Sequence, residues 1–276
     1  QDADDVSLNA TDTLWNLAQV TSTSGDVILE AGNGVANTTE YGDYTGRGVV
    51  KAAGNVTIST NNSTSTAALL GVYNDADIEA AGDVTINSNK NLENKGHITA
   101  DNTITMTAQN NISQSGGDVV GKNIVISAGN DVEQSNGMVK ATGTAASDAI
   151  TVTAGNDITL TEGSMVAQTA SLTATARTMQ QVTNADLTGH AVEVQSLTVK
   201  AGKGVSLGSK ENNLEKVNLD VAGGQNAGGI LIGNGNTGDT DLRIAIKTGS
   251  TLADDITIRN YNNLAAGEHG NDILVD

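Results

Sequence analysis

The sequence predicts an all-β chain wound into a parallel β-helix, a solenoid of rungs roughly 20–29 residues long. Three observations carry the prediction. One motif recurs along the chain, each copy alternates at period two, and the composition lacks the side chains that fill a wide core.

The motif is apolar-x-apolar-x, a small residue, Gly, Asn, one more residue, then an apolar residue. It reads VILEAGNGV at 27–35, IVISAGNDV at 124–132 and ITVTAGNDI at 150–158. Looser copies begin at Val56, Val84, Ile104, Leu172 and Leu197, giving spacings of 29, 28, 20, 20, 26, 22 and 25. A coil of strands tolerates such variation because insertions enter loops while the strands stay in register. Within a copy, the first and third residues face one side and Thr, Ser, Glu or Lys the other. Inward positions therefore include Val27, Leu29, Val56, Ile58, Val84, Ile86, Ile104, Met106, Ile124, Ile126, Ile150 and Val152.

A second strand precedes each copy, at Val50, Ile78, Ile98, Val119, Val166 and Val192. A third follows the Ala-Gly-Asn turn, at Val35, Leu92, Ile112, Val132, Ile158 and Val205. Three short strands and three corners make one rung. No segment keeps an i, i+3, i+4 apolar pattern over a helix-length window.

Composition agrees. The 276 residues include no Phe, Pro or Cys, one Trp and four Tyr, so the core must be thin and aliphatic. Hydrophobic residues still make up 37 %, in register, which excludes a disordered chain. With 14 basic and 32 acidic residues the net charge is -18, a field that repels nucleic acid and anionic membrane surfaces. No apolar run is long enough to span a bilayer, so no membrane insertion is expected in this segment. Residues 1–5 do not read as a signal peptide, which places any export signal outside this sequence.

At the turn, Asn33, Asn110, Asn130 and Asn156 fall in one column and are expected to form a structural ladder. The next column reads Gly34, Asn91, Asn111, Asp131 and Asp157. Its two carboxylates would repel unless splayed, bridged by a cation or separated by the insertion at 142–148. Residues 1–24, with Trp15, form a cap or partial rung. Residues 25–208 carry the regular repeats, and 209–276 a β-rich subregion with divergent repeats.

The repeats resemble those of filamentous-haemagglutinin-like bacterial exoproteins. The resemblance rests on Gly54-Asn55-Val56-Thr57-Ile58, Gly82-Asp83-Val84-Thr85-Ile86 and the two Ala-Gly-Asn-Asp turns at 128–131 and 154–157, and covers roughly 24–208. It implies a right-handed parallel β-helix, exported to the cell surface or medium, acting as an adhesin or as the stalk of a larger toxin. The Asn-Pro motifs of that family's secretion domain are absent, since there is no Pro, so an internal piece of a longer chain is expected.

No catalytic constellation stands out. A β-helical polysaccharide lyase or hydrolase needs clustered carboxylates or an Asp/Lys/Arg group in one groove. Here His97, His190 and His269 are scattered and expected in exposed loops, and Arg47 and Arg177 stand alone. The pairs Asp254-Asp255 and Asp239/Asp241 are expected in solvated turns. No cofactor is expected; the weak Ca²⁺ candidates are the oxygen-rich stretch of Asn234, Asn236, Asp239 and Asp241, and Asn271-Asp272. Any ligand must then meet outward side chains or inserted loops. The longest insertions, at 37–48 and 61–75, hold Tyr41, Tyr44 and Tyr73 and are expected to project from one flank because both interrupt the same part of the repeat. These tyrosines are the candidate contacts for a host glycan or a matrix or cell-surface protein.

Overall fold

A computed structural model describes residues 4–62, 71–145, 147–223, 228–235, 242–248, 256–261 and 273–275. The chain is a parallel β-helix built from three ladders. In the first, Val27–Ala31, Val56–Thr60, Val84–Ser88, Thr103–Ala108, Asn123–Ala128 and Ala149–Ala154 pair in parallel, each with the next. The second runs through Thr13–Asn16, Gly34–Asn37, Gly71–Asn74, Asn91–Asn94, Ile112–Gln114 and Val132–Gln134 to Ile256–Asn260. The third contains Val20–Ser22, Val50–Ala52, Ile78–Ala80, Ile98–Ala100, Val119–Gly121 and Met138–Ala141.

The core is a set of aliphatic columns. Leu29, Ile58, Ile86, Met106, Ile126, Val152, Leu172, Val199 and Leu219 stack in one register and are all buried. Each such side chain contributes about 2 kcal/mol of burial. All twelve inward positions expected from the sequence are buried.

The Gly of the Ala-Gly-Asn turn is steric. A Cβ on Gly155 would lie 1.9 Å from the Gly129 carbonyl oxygen, and one on Gly129 2.0 Å from that of Gln109. Beside it, the backbone N–H of Asn130 donates to Asn110 and that of Asn156 to Asn130, at 2.9 and 2.8 Å. The Asn33, Asn110, Asn130 and Asn156 backbones thus continue the ladder through the turn, with side chains half-exposed or exposed. Asn33 also donates its amide to Asp12.

The deeply buried amides form a different column. Asn16, Asn37, Asn74, Asn94 and Gln114 close the second-ladder strands, and each amide donates to the next at 2.8, 2.7, 2.6 and 2.7 Å. Asn74 and Asn94 also donate to the carbonyls of Ala76 and Gly96, so the column ties each corner shut. Buried carbonyls that no strand reaches are satisfied this way.

Four sequence expectations need correction. Ala170, not Leu172, pairs with Ile150, since Ala is small enough to keep the column while hiding the anchor. Met165 and Ala167, not Val166, face inward, because a shift of parity at Gln168 and Thr169 joins two ladders into one strand. His190 is fully buried rather than exposed. The insertions at 37–48 and 61–75 do not interrupt the same part of the repeat. The first follows the second-ladder strand Gly34–Asn37, whereas the second, whose residues 63–70 lie outside the described residues, falls in the chain between Val56–Thr60 of the first ladder and Gly71–Asn74 of the second.

Candidate functional site: an aromatic flank on the second ladder

Trp15, Ala36 and Tyr73 are register partners on three successive rungs, on the outward side of the second ladder. Each precedes a member of the buried amide column, which fixes its backbone. Over this face the insertion at 38–49 folds a two-strand antiparallel hairpin, Glu40–Tyr41 with Tyr44–Thr45, turning at Gly42 with φ 58°. The hairpin base is pinned. Asp75 accepts from the Thr38 hydroxyl and the Thr39 N–H, both at 2.9 Å, and Arg47 N–H donates to Leu17 O at 3.0 Å.

The Tyr41 ring lies against Trp15, with centroids 3.9 Å apart and planes at 36°. Tyr44 is 73 % exposed, Tyr41 48 % and Trp15 38 %, half of the exposed large hydrophobics among the described residues. Tyr73 is half-buried. Its hydroxyl donates to Asp75 at 3.0 Å, and Lys95, paired with Glu93 at 2.7 Å, sits 5.2 Å from its ring centroid. Burial, then the hydrogen bond and charge of Asp75, push the Tyr73 phenol above its ordinary pKa. The hydrogen bond to Glu93 raises Lys95. Tyr41 and Tyr44 are therefore presented with Trp15, while Tyr73 is held in place, and Asp75 ties both parts to one frame.

The sequence points to Trp15 as part of a cap or a partial rung, of which the structure shows the rung, and gives no sign of Asp75 or Lys95 at this face. The signal for Trp15 was present, since Trp15-Asn16 and Tyr73-Asn74 stand at equivalent places in their rungs.

Elsewhere polar groups serve the scaffold. The Asp157 N–H donates to the Asp131 carboxylate at 3.2 Å, so the insertion at 142–148, which lies at another corner, does not separate them. Asp157 accepts from the Thr178 N–H and hydroxyl at 2.9 and 2.8 Å and pairs with Arg177 at 3.4 Å. Burial pushes its carboxyl up, but these three partners together hold it below its ordinary value. Asp26, Asn55, Asp83 and Asn123 likewise accept a backbone N–H from the next rung at another corner. His97 accepts from the Asp118 N–H at 3.1 Å.

A shallow open groove of about 560 Å³ over the third ladder is floored by Ala52 and Ala80 and spanned by the Lys51–Glu79 ion pair. Among the described residues no group of three or more His, Cys, Asp or Glu could hold a metal. Asn234 is buried and bonds both ways to the Leu214 backbone. Asn236, Asp239, Asp241, Asp254, Asp255, His269, Asn271 and Asp272 lie outside the described residues. No helix among the described residues is long and apolar enough to cross a membrane.

His190 is the outlying titratable group. It is completely buried, and among the described residues neither ring nitrogen has a hydrogen-bond partner. Burial lowers its pKa from 6.5 to about 4. It shares the inward parity of Val192 and Val194, and the turn before it is held by the Thr188 N–H donated to Asn184 and the Gly189 N–H donated to Glu211, both at 3.0 Å, with Leu187 at φ 60°.

No family model, curated protein or solved structure matches the chain.

Proposed function

We propose that this chain is a non-catalytic segment of a secreted or surface-displayed bacterial adhesin related to the filamentous-haemagglutinin-like exoproteins. It would act as an elongated shaft that presents loops to a host glycan or to a matrix or cell-surface protein. The observation that carries this is the hairpin of Tyr41 and Tyr44, with Tyr41 packed on Trp15 and Tyr44 exposed beside it. Three aromatic rings stand exposed together, two on a pinned hairpin and one on the ladder strand beneath it, in a chain that otherwise has almost none. Exposed rings on a rigid base give contact area at low entropic cost. The carboxylates best aligned for acid–base chemistry, Asp131 and Asp157, are engaged by backbone donors, which favours the shaft over a polysaccharide lyase or hydrolase.

The test is a binding screen against glycans and matrix proteins, run beside lyase and hydrolase assays. A ligand bound without turnover, and lost when Tyr41, Tyr44 and Tyr73 are changed together to Ser in a folded variant, supports the proposal. Turnover, or binding unchanged in that variant, overturns it.

A further inference from the structure

Resting on that proposed contact surface, we infer that the hairpin of Glu40–Tyr41 and Tyr44–Thr45, with Trp15 behind it, is built to take a basic peptide segment through its Lys or Arg side chains. The hairpin reads Glu-Tyr-Gly-Asp-Tyr, and residues 40–47 are all exposed. Glu40 and Asp43 alternate with the two rings, and among the described residues neither carboxylate has an ion pair. Arg47 at the base is the hairpin's single cation.

A cation over a ring with a carboxylate beside it gains from both, while a neutral sugar would leave the two carboxylates unused. The chain makes this arrangement within itself. Lys95 sits 5.2 Å from the Tyr73 centroid and 2.7 Å from the Glu93 carboxylate, on the same outward face. At the hairpin, Glu40 and Asp43 adjoin Tyr41 and Tyr44 in the chain, and among the described residues Arg47 at its base forms no ion pair with either acid. The net charge of -18 steers a basic segment toward the chain at low salt, and the exposed acids and rings of the hairpin give it one place to dock.

Trp15 is the only tryptophan and packs on Tyr41, so its fluorescence reports the site. The test titrates the whole chain with a short synthetic peptide of alternating Arg and Ser, with a Glu/Ser peptide and a neutral oligosaccharide as comparisons. Two double variants separate the site from the general field: Glu40→Gln with Asp43→Asn, and Asp101→Asn with Glu133→Gln, which removes the same charge from exposed positions elsewhere. The expected result is saturable Trp15 quenching by the Arg peptide alone. Affinity should fall about tenfold in the hairpin pair and less than about twofold in the distant pair. Tyr44→Ser should weaken binding while leaving the melting curve unchanged, since the hairpin lies outside the ladders.

Equal loss in both double variants would overturn the inference by showing only the field of the whole chain. So would preferential binding of the oligosaccharide, or no binding of the Arg peptide. A ligand from the wider screen that still needs the tyrosines would then leave the contact surface standing without its basic partner.

Discussion

The first and second halves of the solenoid close the corner after the second ladder in different ways. Up to Gln114 each rung supplies one buried amide, and Asn16, Asn37, Asn74, Asn94 and Gln114 donate in sequence. Beyond it the column is interrupted: Leu160 pairs with Gln134 on one side and Gln181 on the other. The remaining amides reach further. Gln134 donates to Gly137 O and also to Ser164 O in the next rung, at 3.3 and 3.0 Å. Asn212 donates to the carbonyls of Leu207 and Gly233 and exchanges bonds with Gln181. In the same half the corner between the third and first ladders straightens into the long strands Ser164–Ala174 and Ala191–Ala201. The aliphatic columns are common to both halves. What differs is how the corner carbonyls are satisfied, so the core sets the fold and the corners set the rung.

Largest in effect is a buried charge in the shared column. Ile126→Asp and Val199→Asp should each cost about 4 kcal/mol or more, seen as loss of the folded baseline or a large fall in Tm. Similar losses in the two halves are expected, because both residues occupy one column. If Val199→Asp melts like the parent, the second half does not share the core.

The corners should separate the halves. Asn94→Leu removes the partner of one Asn74 amide N–H, of Gly96 O and of the Gln114 side-chain oxygen, at a cost of about 3 kcal/mol by urea denaturation. Leu160→Asn loses about 2 kcal/mol of burial but places an amide between Gln134 and Gln181, so a net loss of about 1 kcal/mol is expected. Equal costs would mean that the amide column does not define the first half.

His190 adds a pH dependence confined to the second half. Its folded pKa of about 4 lies below 6.5, so the unfolded chain binds the extra proton and stability falls as pH drops from about 6.5 toward 4. Between pH 6.5 and 5 the loss is about 2 kcal/mol. The depression of Asp157 acts only below the ordinary carboxylate range, outside that window. His190→Leu should flatten the Tm profile between pH 6.5 and 5. An unchanged slope would show that the imidazole is already solvated.

Most of the coil could be read from sequence because period-two alternation and a repeated turn are local signals. The misplaced anchor at Leu172 and the parity error at Val166 share a cause. Ala170 and Ala167 face inward, and Ala carries too little apolar signal to mark a strand. The amide column was missed because Asn is also the residue of turns, and only pairing distinguishes Asn94, buried in a corner, from Asn130, exposed in one. Of the candidate site, the three tyrosines were legible as rare aromatics in long insertions. Their division into a presented pair and a fixed Tyr73 depended on Trp15 and Lys95, which reach the rings only across rungs, and on Asp75, which joins Tyr73 in its own rung to Thr38 and Thr39 of another.

The register common to both halves is tested most directly with spin labels, since the chain has no native Cys. Outward pairs Thr105→Cys with Val125→Cys in the first half, and Ser171→Cys with Thr198→Cys in the second, occupy adjacent rungs. One continuous register predicts strong spin–spin broadening in both pairs, from backbones about 4.8 Å apart. Weaker broadening should follow when Thr198→Cys is replaced by Lys200→Cys, two residues further along the strand. Strong coupling in the first pair, with none in the second or with a maximum at Lys200, would contradict a single core running through both halves.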